Sequence, residues 1–299
     1  MKSQKKAMLF GLLTVLLWST VASAFKITLS HFAPIQMVLM ASLTSIVLLF
    51  GIARYQNKLS LLKPYFMKQP LFYLTLGVIN PFLYYLVLFK AYDLLPASQA
   101  QALNYTWAIT LTLLSVPFLG HKIRKKDWVA ILFSYTGALF IATKGDILRL
   151  NFDNPLGVCY ALLSTLLWAS YWIINAKNNN DPIISLLLCF LLSLPFTLIA
   201  TALLADFNFN SLPGILGAVY IGLFEMGISF VLWLMAIKLA TNTAQISNLI
   251  FISPFISLFL LSAIVGEEIH PSTFIGLVTI IVGLIIQQIQ WCRTARRKS

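Results

Sequence analysis

The sequence predicts an all-α integral membrane protein of ten transmembrane helices, arranged as two five-helix repeats of inverted topology. Three observations carry this expectation. The first is composition: 59% of residues are hydrophobic, 10% are charged and the mean hydropathy is +0.86, against roughly 25% charged residues in soluble domains. The second is internal similarity, because GLLTVLLWST at 11–20 returns as ALLSTLLWAS at 161–170. The third is a charge exchange, a basic loop in one half answering an acidic loop at the matching place in the other.

The repeat organises the rest of the chain. Leucine is common in apolar segments, so the matched leucines say little. The shared Trp18/Trp168 and the hydroxyls Thr14/Ser164 and Thr20/Ser170 say more. Pro34-Ile35 pairs with Pro182-Ile183 at an offset of 148, while Gly77/Gly222 and Ala91/Ala236 pair at 145. Gln99, Gly120, Ile123 and Gly137 pair with Gln245, Gly266, Ile269 and Gly283 at 146. The halves are 1–150 and 151–299.

A hydrocarbon core takes about 20 apolar residues per helix. That places spans near 7–29, 34–53, 71–90, 97–118, 128–143, 155–175, 183–205, 212–235, 243–264 and 271–291. The first follows Lys2, Lys5 and Lys6 and contains Ala22-Ser23-Ala24, which together resemble a secretory signal and its cleavage site. Its match to residues in mid-chain favours a permanent helix. Pro34 opens the second. The third carries Asn80-Pro81, where a freed carbonyl and irregular backbone can line a cavity. The fourth holds the polar and aromatic run Asn104-Tyr105-Thr106-Trp107, and the short fifth follows the basic run Lys122–Lys126. Asn154-Pro155 and Asp181-Pro182 open the sixth and seventh, each a capping side chain before a proline at the first helical position. Pro213 opens the eighth and Pro271 the tenth; Gln245 and Asn248 lie in the ninth.

Charge sets the orientation. With the N-terminus in the cytoplasm, only Lys26, Lys90, Lys144 and Arg149 of the 21 Lys and Arg fall outside. The positive-inside rule then puts both termini inside. The +12 net charge lies in short flanks beside apolar spans. Those residues read as topology determinants and anchors for anionic lipid rather than as a nucleic-acid surface. Five spans per copy is an odd number, so the second copy must be upside down. Gly120-His-Lys-Ile is basic and inside; its counterpart Gly266-Glu-Glu-Ile is acidic and outside. Inverted repeats are the mark of secondary transporters, with the site near the midplane between the copies.

These features resemble a known family. Two five-helix copies, Leu-Leu-Trp in the first helix of each, the Gly266-Glu-Glu-Ile turn and the Gly276…Gly283 helix are similar to the EamA family of the drug/metabolite transporter superfamily. The resemblance covers essentially the whole chain. Asn104-Tyr105-Thr106-Trp107 is similar to the Asn-Tyr-Leu-Trp-Pro segment of the aromatic amino-acid exporter branch, with Thr106 for the leucine and Ala108 for the proline. Phe224-Glu225-Met226-Gly227 through Trp233, with Ser247-Asn248-Leu249, resembles a further EamA subgroup. The resemblance implies a ten-helix solute carrier, usually an exporter, in the bacterial inner membrane.

Other chemistries find little in the chain. His31, His121 and His270 all lie near loops, and Cys159, Cys189 and Cys292 have no paired spacing, so no metal site or disulfide framework is expected. No glycine-rich phosphate loop suggests direct ATP use, and no cofactor is expected. A lipid flippase would show headgroup-binding basic residues inside the spans, and an intramembrane enzyme a catalytic cluster; neither appears. A structural or receptor subunit would not need an inverted duplication.

One carboxylate stands apart. Eight of nine acidic residues fall in loops or at span ends, and Glu225 lies in the middle of the eighth span. Intramembrane ionisable groups cost several kcal/mol and are functional candidates by default. Glu225 is the candidate proton-coupling or cation-binding group, against the alternative of a protonated residue hydrogen-bonded across a helix interface. Candidate substrate-binding residues are Trp18 and Trp168 at equivalent depths, Asn80 (the repeat mate of Glu225), Tyr84, and Asn104, Trp107 and Asn248 on the symmetry-related helices four and nine. Buried tryptophans also pack ordinarily, and asparagines often merely tie helices together. Ala130, Ser134, Ala138, Gly276 and Gly283 read as small-residue helix packing. The expectation is a secondary carrier, a monomer or homodimer in membrane lipid, moving a small amphipathic metabolite.

Overall fold

The computed structural model describes residues 2–120, 123, 125–148, 152 and 154–296, with side chains in the last helix described to Gln287. The loop residues His121, Lys122 and Arg124, together with Arg149, Arg297, Lys298 and the side chains of Cys292, Arg293 and Arg296, lie outside that description. Among the described residues the chain is all helical.

Among the described residues, eight helices are long and apolar enough to cross a membrane. They are α1 (Gln4–Leu29), α2 (Pro34–Tyr55), α3 (Pro70–Leu94), α4 (Ala97–Leu119), α6 (Pro155–Asn175), α7 (Pro182–Leu204), α8 (Leu212–Leu239) and α9 (Gln245–Val265). Two further helices stand where the fifth and tenth spans are expected. The first, α5 (Lys125–Ala142), starts on Lys125, Lys126 and Asp127, so its apolar part is short. The other, α10, runs Pro271–Arg296, with an apolar stretch Pro271–Gln287. A short helix, Leu62–Lys68, links α2 to α3 and was not anticipated from the sequence.

Capping follows the local chemistry. Asn154 Oδ1 accepts from the Gly157 N–H at 2.9 Å, and Asp181 Oδ1 accepts from Ile183 and Ile184 at 3.0 and 3.2 Å. Each satisfies donors that a helix start leaves free.

Four helices are broken near their middles, α3 where Asn80-Pro81 signalled it, and each break has a cause. In α3, Pro81 cannot donate to the Gly77 carbonyl, and Asn80 has non-helical angles, φ −142° and ψ 119°. In α4, the Thr106 hydroxyl donates to the Leu103 carbonyl at 2.8 Å and competes with the backbone ladder between Asn104 and Trp107. In α8, Gly227 follows Glu225-Met226, and the Ser229 hydroxyl donates to the freed Phe224 carbonyl. In α9, Pro254 follows a 3-10 turn over Leu249–Ile252.

The halves interlock through glycines. A Cβ on Gly77 of α3 would lie 2.6 Å from the Cys189 carbonyl oxygen of α7. One on Gly222 of α8 would lie 2.5 Å from the Ala41 carbonyl oxygen of α2. Gly77 and Gly222 are repeat mates, so each copy's third helix meets the other copy's second without an intervening side chain. Helices α5 and α10 do the same through Gly137 and Gly276, each 2.6 Å from the other's carbonyl oxygen if given a Cβ.

The loops fall into two sets. At one end Ser3 N–H donates to the Leu239 carbonyl at 2.9 Å, Gln4 Oε1 accepts from Thr241 and Asn242 N–H at 2.9 and 3.0 Å, and Lys58 pairs with Asp181 at 2.7 Å. At the other end Asn154 Nδ2 donates to the Leu94 carbonyl at 3.1 Å, and Glu267 accepts from Ala97 and Ser98 N–H at 2.8 and 2.9 Å. Each pairing joins loops that strict alternation of the spans assigns to the same side.

Candidate functional site

The interrupted helices α3, α4, α8 and α9 all contribute to the wall of one cavity. Its walls come from α1 (Trp18, Val21, Phe25), α3 (Tyr84, Leu88, Tyr92), α4 (Gln101, Asn104, Tyr105, Trp107), α6 (Trp168), α8 (Glu225, Phe230) and α9 (Ile250, Ser253). Its water-accessible space is about 120 Å³, and a water needs roughly 10–15 Å³ on that measure. Several waters or one small organic group fit.

Aromatic rings make most of the wall. Trp168 stacks on Tyr84 with centroids 4.6 Å apart, and meets Trp107 edge-on at 6.5 Å and Phe230 at 6.1 Å. Phe230 also meets Trp18 edge-on at 5.9 Å, joining the tryptophans of the two repeats. Offset and edge-to-face rings at these separations hold each other's orientation. Trp18 and Trp168 are half-buried, and both line the cavity.

Polar groups sit among the rings. The Tyr85 hydroxyl donates to Glu225 Oε1 at 3.3 Å, fixing the carboxylate from the α3 side. Asn104 Nδ2 donates to the Ser164 hydroxyl at 2.9 Å, tying α4 to α6, and the Asn104 amide also faces the Tyr84 hydroxyl. Ser19 and Ser253 are hydrogen-bonded at 3.2 Å, closing α1 onto α9 beside the cavity. Gln101 is 7% exposed, and its side-chain carbonyl oxygen has no partner among the described residues.

Of the residues singled out from sequence, Trp18, Tyr84, Asn104, Trp107, Trp168 and Glu225 come together around this cavity. Asn80 and Asn248 do not. Asn80 is 2% exposed and faces the Tyr171 hydroxyl behind the wall. Asn248 is exposed and does not line the cavity. Phe230, Tyr92 and Gln101 were missed. Phe230 is the repeat mate of Tyr85, at the same 145 offset that relates Asn80 to Glu225. Gln101 lies one turn before Asn104 on the same helix face. Those two relations were the available signals.

Comparison with known proteins agrees with this architecture. The model of the EamA-like transporter family matches residues 5–143 and again 155–287. The chain belongs to the EamA-like transporter family. It is a multi-pass membrane transporter rather than an enzyme. It is 28% identical to an uncharacterized transporter of Clostridium kluyveri over 94% of this chain and 93% of that one. It is 23% identical to the aromatic amino acid exporter YddG of Salmonella typhimurium, over 99% and 100%. A solved crystal structure superposes with a TM-score of 0.68 at 19% identity, covering 98% of this chain and 99% of the other, and so shares its fold.

Proposed function

We propose that this transporter is a secondary carrier that exports small amphipathic metabolites, amino acids or drug-like compounds, by alternating access. On this reading it has ten spans as two inverted repeats, 1–150 and 151–299, with both termini on the cytoplasmic face of a bacterial inner membrane, and works as a monomer or homodimer. The observation that carries it is the cavity lined from both halves at the level where α3, α4, α8 and α9 are all interrupted. Interrupted segments in corresponding positions of two halves are where secondary carriers hold their cargo. The two separate family matches support the duplication, and the aromatic amino acid exporter among its relatives supports an amphipathic cargo. Glu225, the one charged group on the cavity wall, serves as the proton-coupling or cation-binding residue.

The test is a screen of labelled metabolites in proteoliposomes with an imposed pH gradient. The expected result is saturable accumulation of at least one amphipathic solute, reduced at least tenfold by Trp168→Ala in protein that still folds. Large-to-small changes also cost packing, so thermal unfolding is measured beside transport. No solute transported above empty liposomes would refute the carrier.

A further inference from the structure

We infer that the cavity selects organic monocations, with an aromatic or apolar body and one protonated amine, over zwitterionic amino acids and over anions. This rests on the carrier reading above and narrows its substrate. Four features of the cavity carry it.

The first is charge. Glu225 is the one ionised-type side chain on the wall, and no Lys, Arg or His is among the described residues that line it. An ammonium finds a counter-charge there. The carboxylate of an amino acid finds none, and would enter a confined, poorly solvated space already holding a carboxylate, where like charges repel with little screening.

The second is hydrogen-bond polarity. Two acceptors on the wall have room for further donors: Glu225, which receives a long bond from Tyr85, and Gln101, whose buried carbonyl oxygen has no partner among the described residues. A buried acceptor left empty is costly and calls for a donor. A primary ammonium has three N–H donors and no acceptor, which matches this pair. An anion brings acceptors only.

The third is the aromatic wall. The rings of Trp18, Tyr84 and Trp168 border the same space as the carboxylate, and cations are attracted to aromatic rings within about 6 Å. The fourth is the fate of the donors. One N–H of the Asn104 amide goes to Ser164 at 2.9 Å, and the amide also meets the Tyr84 hydroxyl, so little of it is left for a substrate carboxylate.

The test uses three compounds that share one aromatic body: phenethylamine, phenylalanine and 3-phenylpropionate. Binding of each radiolabelled compound to the purified full-length protein is measured by equilibrium dialysis. Phenethylamine is expected to bind at least tenfold tighter than phenylalanine, and 3-phenylpropionate to show no saturable binding. Glu225→Gln removes that tenfold preference, Glu225→Asp keeps most of it, and Gln101→Leu weakens amine binding severalfold. Thermal unfolding of each variant shows that the fold persists. Phenylalanine binding as tightly as the amine, or a preference that survives Glu225→Gln, overturns the charge rule and leaves the carrier standing. Saturable binding by none of the three also overturns it. The carrier reading fails separately, if no solute of any charge is moved in proteoliposomes.

Discussion

Asn80 and Glu225 stand 145 residues apart at the same register of two copies, each where a helix is interrupted. Their surroundings agree closely. Each follows by three residues a glycine whose Cβ would strike a carbonyl oxygen of the opposite half, 2.6 Å away for Gly77 and 2.5 Å for Gly222. Their fates differ. Asn80 is 2% exposed and turned toward Tyr171, while Glu225 is half-buried and opens onto the cavity. The duplicated part is therefore the backbone: the close glycine contact and the break. The chemistry lies in the side chain at the break, and only one copy supplies a carboxylate. A scaffold near symmetry thus surrounds a site that is polarised.

The largest expected contrast between the halves is topological. With Cys159, Cys189 and Cys292 replaced by serine, a cysteine placed at 266–271 should react with an impermeant thiol reagent applied to intact cells, and one at 121–126 should not. Equal labelling of both loops would break the inverted arrangement.

Next comes the register pair itself. Glu225→Gln should reduce transport more than tenfold, whereas Asn80→Ala should change apparent affinity less than threefold, since Asn80 does not reach the cavity. Comparable losses in both would mean that the polar groups act together across the interface rather than from one side.

A smaller effect tests the shared scaffold. Gly77→Ala and Gly222→Ala each force a methyl against backbone, and overpacking of this kind costs about 1–3 kcal/mol. The two should lower the thermal unfolding temperature in detergent by similar amounts. A loss confined to one would show that the glycine contacts are not equivalent.

The smallest effect is at the loop face. Burial works against the Asp181 charge, but the hydrogen bond from Lys58 and the N–H groups of Ile184 and Ile183 outweigh it and hold the carboxyl below its usual 3.8. A lowered carboxyl stabilises the fold above that ordinary value, and the stabilisation disappears as pH falls through the lowered one. The pair is partly exposed, at 34% and 18%, so it contributes less than about 1 kcal/mol. Lys58→Met should therefore lower the unfolding temperature slightly at pH 7, and by progressively less as the pH falls below the ordinary carboxyl value. Toward the other end of the bundle, Lys90 pairs within its own helix to Asp93 at 2.7 Å.

Much of this was legible in the chain. Hydropathy marks the helices because lipid demands apolar runs of a set length, and repeat matching marks the equivalent depths of Trp18 and Trp168. Pro81 announced one break. The breaks in α4 and α8 were hidden, because threonine, serine and glycine occur throughout membrane helices and disturb them only where a particular carbonyl lies within reach. The same limit explains Asn248 and Gln101. Asn248 sits directly before the 3-10 turn over Leu249–Ile252, which rotates the helix there, and Gln101 lies in the helical stretch just before the interruption that follows Asn104. Periodicity counted at a uniform 100° per residue does not register such a rotation.

The glycine contacts lie one helical turn from the breaks, and that spacing makes each a fulcrum. At Gly77 the backbone of α3 bears on the backbone of α7, and just beyond it the helix is interrupted at Asn80. The arm past the interruption, Tyr84–Leu94, is about 16 Å long at 1.5 Å per residue. A rotation of about 10° would carry its far end roughly 3 Å and its near end hardly at all. Tyr84, beside the fulcrum, would keep its grip on whatever the cavity holds while Tyr92, far out on the arm, swung away. A lever pivoted at the depth of its cargo can open a passage without letting go first.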